Sequence, residues 1–324
     1  MRGPIDPARA GATLIHEHLA VDWDIGLGRP SRLQPNEALD RIEASCKAAA
    51  EVGIGCIVDA GTEQFGTSNE LLAAAAKLTD IQIVAATGVY CADALPAPAW
   101  AFMPSDPEKI AAELIREARE GRAGSGVLPG IFKIGTSGRA VTGLEQRVFE
   151  GAAIAQRECG LALTTHTEAT AHAEEQVDIL ERAGADLSRV IIGHFGWGSG
   201  PQDRELHRRI ADRGVVLGLD MVGYGGESTI PDWTKMAVDL IEDGHAERIV
   251  LSHDQACYAS GVEGVFDPAD LTGDLGVVSR LLLPALGESG VPAETIDQVM
   301  TVTPRRVLTV AAKHRRPSRT ELSS

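Results

Sequence analysis

Residues 131–166 read IFKIGTSGRAVTGLEQRVFEGAAIAQRECGLALTTH. The stretch opens on a short apolar run, 131–135, and closes on a second, 161–166. Between them Thr142 and Glu145 stand at the spacing of a capping box, in which a hydroxyl and a carboxylate satisfy the first free N–H groups of a helix. Strand, capped helix, strand is the unit of a parallel sheet with helical crossovers. Two residues in it are out of character for a core: Lys133 lies inside the first run and His166 ends the second.

Outward in both directions the rhythm repeats. Further runs at 12–16, 55–59, 81–87, 190–194, 215–220 and 249–252 read as strands, which with the first two makes eight. Asp106 before Pro107 supplies another helix start, and the helix over 107–120 places Ile110, Leu114, Ile115 and Ala118 on one face. A doubly wound sheet would alternate in the same way, but no G-x-G-x-x-G turn opens a first crossover helix. Eight near-regular units predict a (β/α)8 TIM barrel, α/β in class and one domain over 1–312, with a polar tail over 313–324. The long stretches after the third and eighth strands predict active-site loops.

A chain of 324 residues suits that fold, and 44% hydrophobic with 23% charged residues describes a globular protein with a large core. The net charge of −16, from 30 basic and 46 acidic residues, argues against nucleic acid, whose phosphates call for clustered Lys and Arg. Cys46, Cys56, Cys91, Cys159 and Cys257 are odd in number and form no C-x-x-C pair, which fits reduced thiols in a cytoplasmic protein. No stretch approaches the roughly 20 apolar residues of a membrane span, so no membrane partner is expected.

Catalytic groups in such barrels come from the carboxyl ends of the strands. There the first strand ends in His16-Glu17-His18, the fifth in His166, the sixth in His194 and the eighth in Asp254, with Lys133 within the fourth. Alternation along a strand sends His16 and His18 into the barrel and Glu17 towards the helices. One H-x-H arises by chance roughly once in four chains with this histidine content. Four histidines at three strand ends share a need that one cation meets, and Asp254 adds an oxygen ligand and a general base. Read alone, Asp254 has a second, lesser reading as a cap for the next helix. Lys133 either faces outward or, pointing inward beside metals, reacts with carbon dioxide to give a carbamate that bridges two ions.

These residues resemble the phosphotriesterase family of the amidohydrolase superfamily, which includes the phosphotriesterase-like lactonases. The resemblance is carried by Thr13-Leu14-Ile15-His16-Glu17-His18-Leu19, Phe132-Lys133-Ile134-Gly135, Thr165-His166-Thr167-Glu168, Ile192-Gly193-His194, Gly218-Leu219-Asp220 and Leu251-Ser252-His253-Asp254, in the family's order. It implies two divalent ions, the more buried on His16, His18 and Asp254, the more exposed on His166 and His194, bridged by carboxylated Lys133 and hydroxide. Zinc is the first expectation, with cobalt, manganese or iron as alternatives for N/O ligands. The activity implied is hydrolysis of a small lactone or carboxylic ester, with promiscuous phosphotriester turnover, by a homodimer.

Specificity departs from the family pattern. After Gly-Leu-Asp the lactonases carry Arg and the organophosphate hydrolases His, whereas this chain has Met221; after His194 it reads Phe195-Gly196-Trp197-Gly198. Tyr90 matches a lactonase tyrosine and is read either as a donor to substrate or as a half-buried strand-end residue. Trp197, Met221, Tyr224 and Cys257 follow strand ends and line the expected pocket or simply pack. His172, His207 and His245 read as surface or helix-terminal, and His253 as an orienting or packing residue. Two rival functions share the same ligands: an N-acyl amide hydrolase and a catalytically silent metal-binding barrel. A phosphoesterase of another histidine-rich barrel family would want further His and Asp ligands in place of Lys133.

Overall fold

Each of the eight expected runs forms a strand in the computed structural model, which describes residues 3–65, 68–91, 106–137, 140–168, 171–196, 203–263 and 271–310. In chain order they are β1 (Ala12–Asp22), β2 (Ile54–Asp59), β3 (Gln82–Gly88), β4 (Ile131–Thr136), β5 (Ala162–Thr167), β6 (Val190–Ile192), β7 (Val216–Leu219) and β8 (Ile249–Leu251), and a ninth, β9 (Ala256–Ser260), was not expected. Consecutive strands pair in parallel from β1 to β8. The ring closes where the Asp254 N–H donates to the carbonyl of His16 at 3.1 Å. One side chain from each of β1 to β8 meets in a buried interior layer, from Ile15 and Val58 round to Val216 and Val250, with Val307 of the C-terminal helix plugging it. The chain is therefore a single-domain TIM barrel, as its sequence predicts.

Between the strands run α1 (Pro35–Glu51), α2 (Asn69–Leu78), α3 (Pro107–Glu120), α4 (Gly143–Cys159), α5 (Ala171–Arg182), α6 (Arg204–Asp212) and α7 (Ile230–Glu242). Both expected starts are present: Asp106 accepts from the N–H groups of Glu108 and Lys109, and Thr142 and Glu145 cap one another at the head of α4. Ile110, Leu114 and Ala118 of α3 are buried against the barrel. His207 corrects the sequence reading: it is buried, its ring packed 4.9 Å from that of Phe195 on the inner face of α6, whereas His245 is helix-terminal as expected, just beyond α7 and at the N-cap of a short 3-10 turn.

β1 departs most from a simple strand. Between Leu14 and Glu17 its register against β2 slips, Leu14 facing Ile57 and Glu17 facing Asp59, so three steps on β1 match two on β2. This bulge breaks the alternation: Ile15 joins the interior layer and the next residue, His16, also faces inward. Beyond it β1 changes partner and runs parallel to β9, with His18 opposite Ala256 and Asp22 opposite Ser260. β6 and β8 stop two and three residues short of His194 and Asp254, which occupy turns with left-handed backbone, φ 54° and 55°.

Candidate metal centre

Because Ile131 of β4 faces the barrel interior, Lys133 two residues on does so too. Its Nζ lies 2.6 Å from Nε2 of His16, so it does not face outward. By the same alternation Ala162 in the interior places His166 at the mouth of β5. His16 Nδ1 and His194 Nδ1 both donate to one carboxylate, that of Asp220 at the end of β7, at 2.7 and 3.0 Å. That leaves their Nε2 lone pairs pointing into the mouth, where Asp254 waits: its Oδ1 is 3.5 Å from His16 Nε2 and 3.1 Å from His18 Nε2, and its Oδ2 is 3.8 Å from His194 Nε2. The approach is close enough to require Gly193, since a Cβ there would strike the Thr165 carbonyl and sit 3.1 Å from Asp220 Oδ2.

His166 stands beside this group. Its ring centroid is 4.5 Å from that of His194, Tyr90 Oη lies 3.0 Å from its Nδ1, and a carboxylate oxygen of Glu168 lies 3.3 Å from its Nε2. All of these groups are at the carboxyl end of the barrel, and His16, Lys133, His166 and His194 are buried.

Burial sets the protonation of the site. It pushes His16 down to about 4, aided by Lys133 and opposed by Asp220, and His166 down to about 3, aided by His194. It pulls Lys133 down to about 8, against the attraction of Asp254 and Asp220. For Asp220 and Asp254 burial would raise the carboxyl, but the surrounding imidazoles win and hold both well below the usual carboxylate range. In His194 too the burial effect loses, here to Asp254 and Asp220, and its pKa rises. Tyr90 is driven well above its ordinary value, first by burial.

Among the described residues, two sets of donor atoms lie within 4.8 Å of one another: His16, His194 and Asp220, and His16, His18 and Asp254. Asp220 already accepts two imidazole protons, so its part in the first set is to orient ligands. What remains is three imidazole nitrogens turned towards an ionised carboxylate at the barrel mouth, with His16 and His194 buried and His18 and Asp254 half-buried, a donor set of the borderline kind that divalent zinc and its neighbours take. The residues fit a divalent cation.

Of the remaining expected pocket residues, Trp197 lies outside the described residues. Cys257 is corrected: on β9 it is Ala256 that packs on the mouth side, with Tyr90 against the same cluster, and the neighbouring thiol turns outward to Ser45 and Cys46 of α1. Met221 is packed in the core at 4% exposure and offers the mouth little surface. Tyr224 donates its hydroxyl to the Asp254 carbonyl at 2.9 Å. Sequence reasoning quoted Asp220 and Glu168 but gave them no role. Their signal was position, since each is a carboxylate at the carboxyl end of a strand, where the ligands were sought.

The profile of the Phosphotriesterase family matches residues 1–308. A Phosphotriesterase homology protein of Mycobacterium tuberculosis (strain ATCC 25618 / H37Rv) is 29% identical over 316 residues, covering 94% of this chain and 95% of that one. An Aryldialkylphosphatase of Saccharolobus solfataricus is 30% identical over 255 residues, covering 78% and 79%. Among solved structures, the Organophosphorus Hydrolase from Deinococcus radiodurans superimposes with a TM-score of 0.85 at 28% identity, covering 94% of both chains.

Proposed function

The chain belongs to the phosphotriesterase family, and on that premise we propose that it hydrolyses a carboxylic ester or lactone, with weaker turnover of organophosphate triesters, at a binuclear zinc centre held by His16, His18, His166, His194, Asp254 and Lys133. The observation that carries this reading is the convergence of the His16, His18 and His194 Nε2 atoms on the Asp254 carboxylate, with the Lys133 amine at 2.6 Å from the first of them. Bound divalent cations would supply Lewis-acid polarisation of the scissile carbonyl and a lowered pKa for water. Cobalt, manganese and iron suit the same donors.

The chain's own groups do the rest. Lys133, its amine made easier to deprotonate by burial, adds to carbon dioxide: the nitrogen lone pair forms an N–C bond, one C=O π pair moves onto oxygen, the nitrogen's proton passes to solvent, and the product is a carbamate anion. Asp254, ionised and fixed by His18, accepts the proton of the attacking water. Tyr90 keeps its phenolic proton; its hydroxyl lies 3.0 Å from His166 Nδ1 and would turn from there to donate a hydrogen bond to a substrate oxygen. An amine leaving group asks for a protonated acid, and Glu168, the half-exposed carboxyl at the mouth, is held below its usual range by its hydrogen bond to His166. An alkoxide leaves without that help, which favours the ester.

A hydrolysis screen of zinc- and cobalt-loaded protein against lactones, aryl esters, N-acyl amides and paraoxon-like triesters tests the proposal. Lactones or aryl esters should give the highest kcat/KM, triesters less and amides least. Faster turnover of an amide than of any ester would overturn it.

A further inference from the structure

Glu17 stands between His16 and His18 but points away from the mouth, fully buried behind β1. Among the described residues, the hydrogen bonds of its carboxylate run to a single segment, the turn after β8. Oε1 accepts from Ser252 Oγ at 2.7 Å, from the His253 N–H at 2.9 Å and from His253 Nδ1 at 2.7 Å, and Oε2 accepts from the Gln255 N–H at 3.0 Å. The Val278 N–H donates to His253 Nε2 at 2.9 Å, so Nδ1 is the nitrogen that carries the proton towards Glu17.

The residue enclosed by these bonds is Asp254. Its φ of 55° lies in the left-handed region, which residues with a Cβ enter at some cost, Asp among the more readily, and which the surrounding bonds help to fix. The backbone adds three ties across the same seam: Asp254 N–H to the His16 carbonyl at 3.1 Å, His18 N–H to the Gln255 carbonyl at 2.9 Å, and His16 N–H to Ser252 Oγ at 3.0 Å. His194 is held by the same device, its N–H donating to Asp220 Oδ1 at 2.7 Å while its φ is 54°.

We propose that Glu17 is a positioning residue for the metal centre: by gripping the turn on both sides of Asp254 it sets that carboxylate against the His16 and His18 imidazoles. The proposal rests on the metal-binding reading given above. A carboxylate is required because every partner is a donor; a glutamine amide would turn an NH2 group against one of them.

The test is a titration of cobalt(II) into the metal-free full-length protein, followed by visible absorption, with kcat and KM of the loaded protein alongside. Glu17→Gln should retain a native circular dichroism spectrum, bind cobalt roughly 10–100-fold more weakly with an altered d–d spectrum, and lose kcat at little cost in KM. A folded Glu17→Gln protein with wild-type affinity and spectrum overturns the proposal. Should that variant not fold, Ser252→Ala decides: it removes only the hydroxyl linking Glu17 to the His16 N–H, and weaker cobalt binding supports the proposal while unchanged affinity overturns it. A wild-type chain that binds no cobalt defeats the metal reading itself, and this proposal with it, so the two failures are told apart.

Discussion

At the scale of single residues, the site is a set of carboxylates and imidazoles that hold each other's protons. Asp220 fixes Nδ1–H on both His16 and His194, and only then do two Nε2 lone pairs face the same space. Lys133 is the residue whose role is most exposed to test. Lys133→Ala should lose activity by more than the roughly 10–100-fold typical of removing a group one step from a metal, and acetate or propionate should restore part of it by standing in for the carbamate. Unchanged activity in Lys133→Ala, measured on the best ester of the screen, would remove the residue from the site. Lys133 was legible in the sequence because a lysine inside an apolar strand needs a reason to be there. Cys257 and Met221 were not, because residues just after strand ends point either way and only the pairing of β9 with β1 decides for Cys257.

At the scale of elements, local chemistry and its stability cost can be read together in α4. Thr142 and Glu145 close the capping box, and Glu145 is fully buried because its other oxygen also accepts from the N–H and hydroxyl of Ser137, just after β4. Thr142→Ala should therefore cost about 1 kcal/mol of unfolding free energy, the usual worth of an N-cap. Glu145→Ala should cost more, since it leaves several buried donors unmatched; denaturant melts of the two variants check the order, and equal costs would show that the Ser137 bonds contribute nothing. Such caps and the period of the strands were visible in the sequence since both depend on neighbours along the chain. The bulge in β1, its change of partner to β9, and the left-handed turns at His194 and Asp254 were not. Each is set by a strand far away in sequence: β2 fixes where the extra residue of β1 is taken up, and Glu17 and Asp220 hold the two turns.

At the scale of the whole molecule, the barrel closes at the site. The seam between the first and last strands is made by the segments that carry His16, His18 and Asp254, so the residues proposed to bind one cation are also those that join the ends of the sheet. Alternation of eight strands and helices made the barrel legible, and the polar strand ends made its mouth legible. Residues 92–105 and 264–270, within the stretches after the third and eighth strands expected to form active-site loops, and residues 197–202 lie outside the described residues. The central claim, that these six side chains form a binuclear centre, is tested most directly by metal content. The chain reconstituted with zinc and freed of excess should retain about two ions by inductively coupled plasma mass spectrometry, and His16→Ala and His166→Ala should each fall below that number. A wild-type chain that retains no metal, or either variant that keeps the full wild-type content, would contradict the account.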